Sequence, residues 1–241
     1  TVRAENTTEL AIQAPKRQIT TPGYIAADLH VHSGASYDNA FAETERVRTF
    51  VAENGEVMVS SEHDVPVDFQ PKIEALGVAD KITAIAAAEI TSLLPTALNP
   101  YTGGHANFFP YTPDPLAYRR GMINHENRRW REIIHDVKQR EPEVVVQLNH
   151  PRLDMRLSGE ELPSDWEEII DHGQFLDHMG SAGHPYNPHQ PLNSTPNKVL
   201  IETDPNTGLS DLSFDLIEVI NPGGDQYQER IQAIRRDWLS F

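Results

Sequence analysis

An α/β fold, with a largely parallel sheet and helices packed outside it, is what this sequence predicts on three observations. Short apolar runs alternate with segments whose apolar residues recur at helical spacing, the trace left by strand–helix–strand units. At 241 residues the chain suits one large domain and is long enough for a sizeable core. With 38% hydrophobic and 23% charged residues, 14 Gly and 18 Pro, it is a folded, turn-rich protein rather than a disordered one. Alternation alone fits either an open sheet or one closed into a barrel.

The elements follow in order. Residues 8 to 19 (TELAIQAPKRQI) alternate weakly around Pro15, so residues 1–22 read as a short β appendage or the remnant of a preceding β domain, ahead of a domain over 23–241. YIAADLHV is a compact apolar run, and ETERVRTFVAENG places Val47, Phe50 and Val51 on one helical face closing at Gly55. EVMVSSEHD is a second strand, followed by a short helix near 68–77 and a buried run, KITAIAAAEIT. HANFFP opens the next strand. In ENRRWREIIHDVKQR, Trp130, Ile133, Ile134 and Val137 share a helical face, and VVVQLNHP is again a strand. Residues 151–213 are irregular, with a helix expected at SDWEEIID, and read as functional loop. SFDLIEVINP is the last strand. A final helix presents Ile231, Ile234, Trp238 and Leu239 and runs to Phe241 without a Gly cap or Pro stop, so the domain is expected to be cut at its C-terminus.

Charge and composition exclude several functions. The 36 acidic against 20 basic residues, a net charge of −16, oppose binding to nucleic-acid backbones or anionic membranes. Without Cys there is no disulfide, thiolate nucleophile or sulfur-ligated metal, which leaves His and carboxylate chemistry. No apolar run approaches the ~20 residues of a membrane span, so a soluble protein is expected, and a chain that starts at Thr leaves room for a removed export signal. Export, to a periplasm or medium, is the favoured reading of a compartment the sequence does not fix, and oligomeric state is equally open.

Against this background the stretch Asp28-Leu29-His30-Val31-His32-Ser33 stands out. Residues i and i+2 of a strand share a face, so His30 and His32 project together, with Asp28 beside them. His63 and Asp64 end the second strand, Glu89 ends the third run, His105 begins HANFF and His150 ends VVVQLNH. Strand ends of a parallel α/β sheet converge on one rim, so these residues share an address. Imidazole and carboxylate without sulfur suit Zn, Mn or Fe, and Glu89 is the natural bridge if two ions lie ~3.5–4 Å apart. The remaining histidines have blander readings: His125 and His135 as surface residues, and His172, His178, His184 and His189 as solvated loop residues. No Ser–His–acid triad is convincing, Ser33 reads as support for the histidine pair, and Gly103-Gly104 as a point of close backbone approach.

DLHVHS, SEHD, AAEIT with GGHANFF, and LNHP together resemble the successive motifs of the polymerase and histidinol phosphatase (PHP) superfamily of metal-dependent phosphoesterases. EIT paired with GHANFF, then LNHPR and IEVIN, resembles the branch that includes carbaryl-type carbamate hydrolases. The resemblance spans roughly residues 24 to 241. It implies a distorted, TIM-like (β/α)7-type barrel, C-terminally truncated here, and metal ligation by His30, His32, His63, Glu89 as bridge, His105 and His150. Two or three divalent ions are implied, with Asp38 as an outer or proton-handling acid. The Asp-x-His motif usual near the end of such domains is not found after IEVIN, which fits the truncation expected at Phe241.

The expected function is therefore hydrolysis of a small-molecule phosphoester, or a related ester, amide or carbamate, by metal-activated water. Asp38 and Asp64 are candidates to orient an imidazole or move a proton, and Arg152 to hold an anionic group. The rival reading is a non-catalytic module of the same kind that binds metal or ligand without turnover.

Overall fold

The computed structural model of the chain describes residues 22–91, 103–151, 180–184, 186, 190–220 and 227–239. The proposed appendage up to residue 21, the helix at SDWEEIID, Arg152, His172, His178 and His189 lie outside them. The described strands form two sheets. The first is parallel, in the order β1 (Ala27–Val31), β2 (Val57–Ser60), β3 (Thr83–Ala86). The second runs β4 (Ala88–Thr91), β5 (His105–Phe109), β6 (Val145–Leu148), β7 (Leu216–Ile217).

Two expectations are corrected here. The run KITAIAAAEIT is two strands in different sheets, with Ala87 as the corner between β3 and β4. Ala87 and Ala88 are fully buried, and their small side chains let the chain turn where both sheets are already close. The second sheet is also mixed, because β5 runs antiparallel to both β4 and β6 while β6 and β7 are parallel. The described strands do not close into a barrel.

The helices follow their apolar spacing. α1 (Glu43–Ala52) buries Val47, and α2 (Gln70–Ala75) buries Ile73. Pro71 occupies the first turn of α2, where its missing N–H leaves no bond unmade, and Gly77 follows the helix with φ +67°. Both helices pack on the parallel sheet through Met58, Phe69, Val67 and Ile82. Val59, next to Met58, faces the other way, joining Ala87 and Phe109 between the two sheets, as the two-residue period of a strand requires.

α3 (Trp130–Arg140) buries all four residues of its expected face, Trp130, Ile133, Ile134 and Val137, against Ile90, Phe108 and Val146 of the second sheet. Each such side chain contributes about 1.5–3 kcal/mol on burial. α4 (Lys198–Ile201) was not legible in the irregular segment. α5 (Tyr227–Trp238) buries Ile234, but Trp238 and Leu239 are 41% and 81% exposed, so its apolar face is only partly covered.

Gly103 makes its close approach to α3. Its carbonyl accepts from Trp130 Nε1 at 2.7 Å, and a Cβ there would sit 2.5 Å from that nitrogen and 2.8 Å from Cε2. Gly103→Ala is therefore expected to destabilise the fold by about 1–3 kcal/mol, the usual cost of overpacking a rigid ring. Urea unfolding checks this, and an unchanged midpoint would contradict the packing.

Candidate metal centre

The rim where the two sheets meet carries the cluster. His30 and His32 leave β1 on one face, with their Nε2 atoms 2.9 Å apart. His63 lies just beyond β2, held to β4 by Asp64 N–H donating to the Glu89 carbonyl and by Glu89 N–H donating to the Glu62 carbonyl. Glu89 lies on β4, paired across to Asn107, and His105 opens β5 opposite Thr91. Because β5 runs antiparallel, its first residue reaches the rim that β2 and β6 reach with their last ones. His150 follows β6 with φ +25°, a strained value for a non-glycine residue that costs on the order of 1–3 kcal/mol.

Glu89 is fully buried at the centre. Oε1 lies 3.3 Å from His30 Nε2, 3.2 Å from His105 Nδ1 and 3.5 Å from His150 Nε2. Oε2 lies 3.2 Å from His32 Nε2 and 3.0 Å from His63 Nδ1. Five imidazoles thus surround one carboxylate. Three groups of ligand atoms each lie within 4.8 Å of one another: His30–Glu89–His150, His63–Glu89–His105 and His32–Asp38–His63.

Burial by itself pushes the Glu89 carboxyl up, but the imidazoles of His105, His150, His30 and His32 outweigh it and hold the group well below the usual carboxylate range. For His30 burial lowers the pKa, yet bonds to Glu218 and Glu89 carry it up to about 10. Burial dominates at His63 and His150, whose pKa values it pushes down. Imidazole nitrogens gathered around an ionised carboxylate form a donor set suited to a divalent ion once the rings give up their protons to it.

A direct test of that fit is Glu89 Oε2. It is buried and, among the described residues, accepts no hydrogen bond of adequate geometry, although two imidazole nitrogens lie within 3.2 Å. Ligands about 2.0–2.2 Å from a shared ion at tetrahedral or octahedral angles lie ~3–3.5 Å from one another. The contacts of Glu89 fall in that range, so the residues present fit a metal.

The expected site residues sort as follows. His30, His32, His63, Glu89, His105 and His150 come together. Asp38 joins them at the exposed edge, its Oδ2 3.3 Å from His63 Nε2 and its side chain 44% exposed. Asp64 turns away: with φ +55°, its Oδ1 accepts from Thr91 N–H at 2.9 Å and lies 3.0 Å from His125 Nε2. His125 is thus no surface residue but is 1% exposed, and His135 is half-buried. Asp28 is exposed and folds back to accept from His30 N–H at 3.0 Å, outside the ligand groups. His184 is half-buried and bridges to Ser181, and Ser33 supports Glu62 rather than a histidine ring.

Four residues beside the cluster escaped the sequence reading. Glu218, just after β7, places Oε1 3.0 Å from His30 Nδ1 and accepts from His150 N–H through Oε2 at 2.7 Å. Asn149 donates to Glu89 Oε1 at 2.7 Å and to Asn107 Oδ1 at 2.8 Å. Ser36 and Glu62 lie behind His32 and His63. All four stand within or beside a stretch that carries the histidines or the last strand, which is the only local signal they leave.

No protein-family model matches the chain, and no curated protein matches it. Among solved structures the chain is similar to a two-domain protein from Bacteroides vulgatus ATCC 8482 containing a predicted PHP-like metal-dependent phosphoesterase. The TM-score is 0.37 and the identity 20%, over 62% of this chain and 42% of that one. The chain therefore spans less than half the length of that protein.

Proposed function

We propose that the cluster is the metal centre of a hydrolase acting on a small-molecule phosphoester or a related ester, amide or carbamate. The observation that carries this reading is Glu89: a fully buried carboxylate ringed by five imidazoles at 3.0–3.5 Å, with one oxygen that accepts no hydrogen bond among the described residues. Divalent ions, when bound, would supply Lewis acidity that activates water and polarises the bond under attack.

This chain's residues divide the remaining work. His30, Glu89 and His150 would hold one ion, His63, Glu89 and His105 a second, and His32, Asp38 and His63 a third, with Zn, Mn and Fe all compatible with the donors. Glu218 would orient His30 through Nδ1, and Asn149 would fix the rotamer of Glu89. Asp38, an exposed acid beside His63, would exchange a proton with solvent. Arg152, next in sequence but one after His150, would hold an anionic substrate group. The motif resemblance supports a PHP-type centre and, at a finer level, the carbaryl-type branch. On that reading the two sheets belong to a distorted (β/α)7-type barrel. No described helix is long and apolar enough to cross a membrane.

The test is elemental analysis after purification and after reconstitution with Zn²⁺ or Mn²⁺, combined with assays on chromogenic phosphate, ester and carbamate substrates. Two or more ions per chain, with turnover lost on chelation, is the expected result. Ions without turnover on any of these would favour the non-catalytic module, and no ion after reconstitution would overturn the metal centre.

A further inference from the structure

The hydroxyl of Ser36 meets three groups at once. It donates to Glu62 Oε2 at 2.5 Å, accepts from the His63 backbone N–H at 3.0 Å, and lies 3.0 Å from His32 Nδ1. A serine hydroxyl has one proton and two lone pairs. Its proton goes to the carboxylate and one lone pair to His63 N–H, so toward His32 it can only accept. His32 must then carry a proton on Nδ1, which in the neutral ring leaves the Nε2 lone pair to face the cluster. The other side of the ring faces the cluster, with Nε2 2.9 Å from His30 Nε2 and 3.2 Å from Glu89 Oε2.

We propose that Ser36, anchored by Glu62, locks His32 in the Nδ1–H tautomer and aims its Nε2 lone pair at the Glu89 cluster. Ser36 is thus a positioning residue, a role that deepens the metal-centre reading and rests on it. Glu62 is fully buried and, among the described residues, has no cationic partner. Its oxygens are satisfied instead by the Ser33 hydroxyl, the Ser33 N–H at 3.0 Å and the Ser36 hydroxyl. A buried carboxylate is tolerated only when its hydrogen bonds are complete, and these serines complete them. Because Glu62 accepts, the direction of the relay is set: proton from Ser36 to Glu62, proton from His32 to Ser36. A serine that merely tied the loop after β1 to the loop after β2 would need only its bond to His63 N–H.

The experiment is long-range ¹H–¹⁵N correlation on metal-free, ¹⁵N-histidine-labelled protein at pH 8, with His32 assigned by its disappearance in His32→Gln, alongside Zn²⁺ titration. Wild type is expected to show His32 as Nδ1–H. Ser36→Ala should release the tautomer into exchange and weaken Zn²⁺ binding by about 10–100-fold, while Ser36→Thr, which keeps the hydroxyl, should restore both. An Nε2–H His32 in wild type overturns the proposal, as does Ser36→Ala that keeps Nδ1–H and wild-type affinity. The wild-type spectrum decides the point even where a variant fails to fold. Wild type that binds no Zn²⁺ but shows Nδ1–H would sink the metal reading and leave the tautomer lock standing.

Discussion

Glu89→Gln is expected to strip the protein of metal and to lower metal-dependent turnover by more than about a hundredfold, beyond the cost of losing a supporting partner alone. The substitution keeps the shape of the side chain and an oxygen for Asn149, but it removes the charge that all three candidate metal groups but one share. The histidines lose their common counter-charge. His30 should respond most, because its pKa is held up in part by Glu89. Elemental analysis and chromogenic assays read the effect, with circular dichroism as the control for folding. A Gln variant with wild-type metal content and activity would refute the bridging role.

Asp211→Ala is expected to be the most damaging single change for stability, at about 3–5 kcal/mol. Asp211 is fully buried and lies at the start of α3. It accepts from Arg129 Nε at 3.0 Å, from Arg129 Nη2 at short range, from Arg131 Nη2 at 2.9 Å, from Arg131 N–H at 3.2 Å and from Ser181 Oγ at 3.0 Å. Ser181 in turn accepts from Trp130 N–H at 2.9 Å, so one carboxylate satisfies the first turn of α3 directly and through a serine. Its removal strands two guanidiniums and a helix end together. At about 2–4 °C per kcal/mol for a chain of this size, the melting temperature should fall on the order of 10 °C.

The same residue sets a pH dependence. Burial alone would raise the Asp211 carboxyl, but Arg129 and Arg131 outweigh it and hold the pKa below its ordinary value. A carboxylate depressed on folding contributes stability that is present above its unfolded pKa and lost as the pH falls through the folded one. Wild type should therefore lose more stability on acidification from neutral pH than Asp211→Ala does. Parallel curves for the two proteins would contradict this role.

What the sequence determined by itself is what repeats locally. The 3.6-residue period marked the buried face of α3, down to Trp130, Ile133, Ile134 and Val137, because a helix is closed by bonds four residues apart and its face is decided within a few turns. The two-residue period placed His30 and His32 side by side, and the position of the motifs at strand boundaries brought six candidate ligands to one rim.

Tertiary structure decided everything that depends on a partner far along the chain. KITAIAAAEIT carries no local mark of its switch between sheets, since strand direction and sheet membership are set by which neighbouring edge is available. His125 lies ahead of α3, beyond the reach of any helical-face argument, and is buried with its Nε2 3.0 Å from Asp64, which lies 61 residues earlier in the chain. Glu218 reaches His30 across 188 residues of sequence, and Ser36 reaches Glu62 across 26. A buried polar group is satisfied by whatever the fold brings to it, so its partner, and with it the proton it carries, is a property of the assembled rim rather than of any segment within it.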